Sequence, residues 1–334
     1  MKKPGLKQHP NWKNLKGKKI SHKTSVARLE ILAALSGLLI AIQARANGQL
    51  SHLVHNSVEA ALISFSSGLL IVSTAALFSK SMQQGIRDMR RAVAAKNLPK
   101  YALFAGALGG IVIGMQTHFI PAIGVAIYSV AAISGQTAIS LVIDRLGITG
   151  GGKKHISPRR VVAATLTILA VLLSVFDKLS LKNFAIGGVV ATIFAGALIG
   201  IQRSFNGLIN EHSHQQFATS LLNFIMGTTL LALLLSYLVI FRHDHLYALP
   251  RGPWWIYLGG VTGVIYIAFA STIVQHLGVL TFTLFSVGGQ LLGSLLIDLI
   301  SPTNGGHVTG YLISGIALTY VGVVVGGQSR LFRR

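Results

Sequence analysis

Amide side chains set one helical turn apart inside apolar runs are the groups in this sequence best placed to do chemistry. Gln43 and Asn47 are four residues apart and share a helix face, as do Gln202 and Asn206. A carboxamide both donates and accepts hydrogen bonds, and an unsatisfied polar group in hydrocarbon costs several kcal/mol. Such a face therefore holds either a polar solute or a neighbouring helix. Gln136 and Gln290 stand nearer the middle of two other apolar runs and are candidates for direct ligand contact. Arg45 and Arg203 also lie within apolar runs. An arginine there suits a carboxylate or phosphate, although its stem can also snorkel to the interface. His118, in the third run, has the chemistry to exchange a proton near neutral pH, or it packs through a hydrogen bond.

The other polar groups carry less. Asp144 and Asp298 close apolar runs and read as solvated helix ends, where a neighbouring cation is expected, Arg145 for the first of them. Glu30 and Glu59 stand where runs begin and read as capping charges. His243, Asp244 and His245, and separately His212 and His214, have metal-like composition without metal-ligand spacing. Gly150, Gly151 and Gly152 before Lys153 lack the Ser or Thr and the preceding strand of a phosphate loop. With no cysteine, thiolate chemistry and disulfides are excluded. No nucleophile, base and orienter recur together, so neither an enzyme nor a metal or cofactor is expected.

The elements that must position these groups are membrane helices. The 334 residues are 51% hydrophobic and 11% charged, with mean hydropathy +0.63. Soluble domains carry about 25% charged residues, so this chain could not cover a soluble surface. Ten apolar segments, each near the ~20 residues that span a bilayer, run 30–52, 57–79, 101–120, 124–144, 159–176, 184–209, 216–241, 253–274, 278–299 and 308–327. They are too long, and too lacking in period-2 alternation, for a membrane barrel.

Formal net charge is +21, which in a soluble chain would suggest nucleic acid. Here the cations fall between the apolar segments. Residues 1–29, 80–100, 145–160 and 328–334 together hold 23 Lys and Arg, and the loops of the opposite side hold four. Both termini are therefore expected in the cytoplasm, with no nucleic-acid partner. The basic head 1–29 reads as an orientation signal that is disordered or rests on anionic lipid, or else as a docking arm.

The two halves repeat. At an offset of 159, Gly37, Gln43, Asn47, Gly48, Phe65 and Gly68 fall on Gly196, Gln202, Asn206, Gly207, Phe224 and Gly227. At an offset of 154, Gly106, Gly109, Gly124, Gly135, Gln136 and Asp144 fall on Gly260, Gly263, Gly278, Gly289, Gln290 and Asp298. Five segments per copy is an odd number, so the second copy enters the membrane from the other side, as an inverted-topology repeat. Glycine pairs read as close helix packing: Gly106, Gly110 and Gly114, then Gly196 with Gly200, Gly289 with Gly293, and Gly322 with Gly326.

The segments GLLIAIQARANGQL and GALIGIQRSFNGLI, followed by LISFSSG and LLNFIMG, resemble the first two helices of YdcZ-type membrane proteins. ISGQTAISLVIDRLG and VGGQLLGSLLIDLI are similar to that family's Gly-Gln and Ile-Asp signature. The resemblance occurs twice over about 30–327, whereas such proteins often occur as single five-helix units, so the chain resembles a tandem fusion. It implies the drug/metabolite transporter superfamily, an all-α DMT/EamA-like bundle of ten helices with 5+5 inverted symmetry, and movement of a small metabolite or drug. Related small multidrug exporters use a buried mid-helix carboxylate, which this sequence lacks, so proton-coupled export of cationic drugs is not expected.

The expected organisation is a basic cytoplasmic segment 1–29, repeats 30–176 and 177–327, and a basic tail 328–334, in the plasma (inner) membrane as a monomer or homodimer. The expected function is alternating-access transport of a small solute through the first, third and fourth segments and their mates. The alternatives are a lipid-handling protein, and a non-transporting membrane partner or sensor.

Overall fold

The computed structural model describes residues 22–146, 157–174, 176, 183–277, 279–302 and 308–327. Among them are eleven α-helices: α1 (His22–Val54), α2 (Ser57–Phe78), α3 (Lys80–Ala94), α4 (Ala105–Ile123), α5 (Val125–Leu146), α6 (Pro158–Ser174), α7 (Asn183–Ser213), α8 (Gln216–Arg242), α9 (Gly259–Leu277), α10 (Val279–Ile300) and α11 (Gly310–Gly327). Among the described residues six stretches are long and apolar enough to cross a membrane: Arg28–Val54, Ser57–Phe78, Lys100–Ile123, Val125–Ile143, Ile186–Ser213 and Gln216–Arg242. Shorter apolar stretches are Val161–Ser174, Trp254–Ile267, Phe285–Ile300 and Gly310–Val325.

Ten helices overlap the expected segments in sequence, six of them carrying the stretches long enough to cross a membrane, and α3 is additional. The basic stretch 80–100, read from sequence as a loop, is helical over most of its length. Its apolar positions Met82, Gly85, Met89 and Ala92 recur every three or four residues and are buried. Ser79 breaks α2 and caps α3, accepting the N–H of Met82. Gln83 donates back to the carbonyls of Ala76 and Leu77, which the end of α2 would otherwise leave open.

Helix ends repeat as the sequence does. Asn56 Oδ1 accepts the N–H groups of Val58 and Glu59 to start α2, and Gln215, 159 residues on, accepts from Phe217 to start α8. The preceding His55 and His214 both adopt the left-handed region, at φ 56° and 50°. Pro99 and Pro253, 154 apart, each lead into a 3-10 turn, Lys100–Phe104 and Trp254–Leu258. Gly124 at φ 84° separates α4 from α5, a conformation that suits glycine.

The largest apolar cluster centres on Val125–Ile133 of α5, with Ala170 and Val171 of α6, Val287 and Leu291 of α10, and Leu312 and Ile316 of α11. Helix α1 packs along α10, and α5 along α7. At the first crossing a methyl on Gly37 would collide with the Ser286 carbonyl, and one on Gly289 with that of Ala34. At the second, Gly196 meets the Ala132 carbonyl and Gly135 that of Ile193. These are the same contacts shifted by 159 and 154. Near the middle, Phe65 and Phe224 meet at 5.4 Å between ring centres. Gly68 leaves room for Phe224, and Gly227 for Phe65.

The other expected packing glycines differ in how tightly they are held. Gly106 lies against the Asn223 backbone, Gly110 near the Gly227 carbonyl, Gly200 against Ile139 and Gly293 against Leu38. A methyl on Gly114 would have only Leu231 within 4 Å among the described residues, at 3.9 Å.

Candidate functional site

The buried amides divide into those that join helices and those that do not. Asn47, fully buried on α1, donates to Gln116 Oε1 of α4 at 2.9 Å. In the second half Asn223 of α8 is the hub. Its Oδ1 accepts from Gln202 at 3.0 Å, and its Nδ2 donates to Asn206 at 2.7 Å and to the Thr219 carbonyl at 2.8 Å. Five amide side chains are thereby joined across helices inside the bundle, with Asn47 Oδ1 left buried without a partner among the described residues. Such bonds hold helices where apolar contact alone supplies little driving force.

Gln43, Gln136 and Gln290 make no side-chain hydrogen bond among the described residues, although Gln290 is only 7% exposed. Gln43 lies beside Gly263 of α9, the repeat-related counterpart of Gln202 beside Gly109 of α4. The difference arises at one position. Ser64 stands where Asn223 stands in the second copy, and serine lacks the reach to engage Gln43 as Asn223 engages Gln202.

A second polar cluster closes one end of the bundle. Arg45 of α1 donates to Gln49 Oε1 at 3.0 Å and to Ser301 Oγ at 2.9 Å, and its guanidinium lies 5.7 Å from the centre of the Trp255 ring. Its Nε is buried without a partner among the described residues. Asp298, within electrostatic reach of Arg45, is not the solvated helix end expected from sequence. It is 3% exposed, and its carboxylate accepts the N–H groups of Val125 and Ala126, at 3.3 and 2.8 Å. The end of α10 abuts the start of α5, so the carboxylate meets unpaired N–H donors and the positive end of a helix dipole. The side chain of its counterpart Asp144 lies outside the described residues.

The remaining candidates are peripheral. Arg203 is exposed and reaches Tyr266 Oη at 3.4 Å. His118 is exposed, edge-on to Phe119, with Ser57 Oγ at 3.5 Å. Glu30 is not at a helix start, because α1 begins at His22. Glu59 is buried and accepts the N–H of Tyr247, from the segment between α8 and α9.

Asn223, Gln116 and Asp298 were not singled out as site residues from sequence. Asn223 lies within LLNFIMG, where an amide in an apolar run was the available signal. Gln116 carries the same signal in α4.

Buried amides joining long apolar helices, with most cations between the apolar stretches, define an integral membrane helix bundle. The DMT_YdcZ family model, described as "Putative inner membrane exporter, YdcZ", matches over residues 29–173 and 188–325. The chain belongs to that family, as a tandem of two units. A search of curated proteins found no match. Among solved structures, one titled "Crystal structure of protein" is similar at 15% identity and a TM-score of 0.51, covering 90% of this chain and 96% of that one. At that identity the likeness concerns the fold.

Proposed function

We propose that this protein is a secondary transporter with ten membrane-spanning helices in two five-helix repeats of inverted topology. It moves a small polar solute by alternating access. The observation that carries this reading is a difference between two repeat-related glycines. Gly48 on α1 is buried, and a methyl there would meet Ile120 of α4 at 2.5 Å. Gly207, its counterpart on α7, is exposed, and among the described residues a methyl there would meet nothing within 4 Å. Likewise α1 packs along α4, while no comparable packing joins α7 to α9 among the described residues. Among the described residues one repeat is packed closely where the other is not, and such a difference between two related packings supports alternating access.

With the cation-rich loops in the cytoplasm, α1 runs outward and the sealed end, with Asn47, Arg45 and Asp298, faces outside. The open end at Gly207 then faces the cytoplasm, so this is the state in which an exporter loads. Gln43, Gln136 and Gln290, whose amides are not committed to helix joining, are the solute-facing groups. Arg45 contributes at the sealed end, where its guanidinium favours a solute with an anionic group.

The test uses the chain's freedom from cysteine. In sealed vesicles of known orientation, Gly207→Cys should react with a membrane-impermeant maleimide applied from the cytoplasmic side only. A transported solute should then slow that labelling. Labelling from the outside alone reverses the orientation. Labelling that is indifferent to a broad solute panel but slowed by added lipid moves the assignment to lipid handling.

A further inference from the structure

Helix α3 presents a cationic face that the transport reading does not use. Its buried side packs on the corner between α7 and α8. Met89 and Ala92 join Ile209 in one apolar cluster, and Gly85 allows Gln215 to approach so closely that a methyl would meet its Cβ at 2.5 Å. Gln215, which caps α8, also donates to Ser81 Oγ at 3.1 Å. The opposite side carries Arg87, Arg90 and Arg91, all exposed, flanked by exposed Lys80, Lys96 and Lys100. The one acidic residue on the helix, Asp88, pairs with Arg91 at 3.3 Å, so the face keeps a strong positive excess.

Depth identifies what this face meets. A single residue, Ser79, joins α3 to α2, whose last residues Leu77 and Phe78 are 74% and 84% exposed. On the other side, Tyr101 and Phe104 lead into α4 and are 53% and 56% exposed. Exposed apolar ends and aromatic rings of this kind sit at the hydrocarbon boundary of a bilayer. A helix held between them therefore lies at headgroup depth, with its guanidinium groups turned away from the protein. Guanidinium groups bind phosphate through paired N–H donors.

We propose that α3 is a docking surface for anionic phospholipid headgroups, with Arg87, Arg90 and Arg91 as the contacting residues. Because α3 is fastened to the α7–α8 corner, bound lipid would also stabilise that corner of the bundle.

The full chain is reconstituted in nanodiscs of phosphatidylcholine with and without phosphatidylglycerol. Unfolding temperature and lipid retained through native mass spectrometry are measured. Phosphatidylglycerol should raise the first and appear in the second. Replacing Arg87, Arg90 and Arg91 together by Gln should weaken retention by on the order of a hundredfold. Replacing Lys178, Lys182 and Arg242 by Gln removes equal charge from the loops of the opposite side and should change little. Equal losses in both triple variants, or none in the first, overturn the proposal. So does a soluble polyanion such as polyglutamate that stabilises as well as phosphatidylglycerol does, because the partner is then not a lipid. If the arginine triple variant does not fold, the wild-type chain at about 1 M salt, where screening acts within ~3 Å, decides instead. A phosphatidylglycerol effect that survives such salt overturns the proposal.

Discussion

Asp298, at the end of α10, accepts the backbone N–H of Ala126 in the first turn of α5, 2.8 Å away. The two residues are 172 positions apart, and the bond ties one repeat's fourth segment to the other's. A full negative charge meets the positive end of a helix there, beside Arg45. Asp298→Asn keeps the shape and loses the charge, and should lower stability by about 1–3 kcal/mol. A reduced melting temperature in detergent checks it, and Asp298→Glu should not restore the wild-type value, because the longer side chain misplaces both oxygens.

Asn223 and Gln290 should respond oppositely. Asn223→Ala leaves the Gln202 and Asn206 amides without their shared partner, a loss of about 1–3 kcal/mol, visible in thermal unfolding. Gln290→Ala removes no hydrogen bond among the described residues. It should leave melting within about 1 kcal/mol of wild type and abolish the solute-dependent shift, read by the same measurement with and without ligand.

Gly48→Ala and Gly207→Ala form a matched pair. The first drives a methyl into Ile120 and should destabilise by about 1–3 kcal/mol. The second adds a methyl that meets nothing among the described residues and should be neutral or gain up to about 1 kcal/mol from helix propensity. Equal effects in melting experiments would contradict the asymmetry on which the transport reading stands.

Gly37 and Gly196 should be similarly intolerant. Each faces a carbonyl across a helix crossing, and backbone yields less readily than a side chain. Alanine at either should cost more than about 2 kcal/mol, seen as loss of monodisperse protein. The same substitution at Gly114, where a methyl would have only Leu231 within 4 Å among the described residues, should be tolerated.

Arg45→Lys keeps the charge while losing the planar fork that reaches Gln49 and Ser301 together. If Arg45 meets an anionic solute, Lys should weaken its binding about tenfold and Gln more, in a titration followed by Trp255 fluorescence.

Repetition made the helices, the tight glycines and most of the amides legible in the sequence, because Gly37, Gln43, Asn47 and their mates coincide at fixed offsets. Helix α3 was hidden by its own charges: counting Lys80, Arg87, Arg90 and Arg91 as loop cations obscured the period of Met82, Gly85, Met89 and Ala92. Asp298 was misread because its partners are backbone N–H groups, which leave no mark on the identity of Val125 or Ala126. The hub role of Asn223 escaped because its repeat mate is Ser64, so the comparison that revealed the other amides passed over it.

The reciprocal contact of Phe65 and Phe224, each filling the space beside the other's glycine, is the kind of contact two separate copies of one unit would make with each other. In such a pair every substitution appears twice and must suit both sides at once. On a single chain it appears once. Arg45 can therefore face Ser301 while Ser204 holds the matching place, and Asn223 can gather amides that Ser64 leaves alone. Covalent linkage frees each half to specialise for its own side of the membrane.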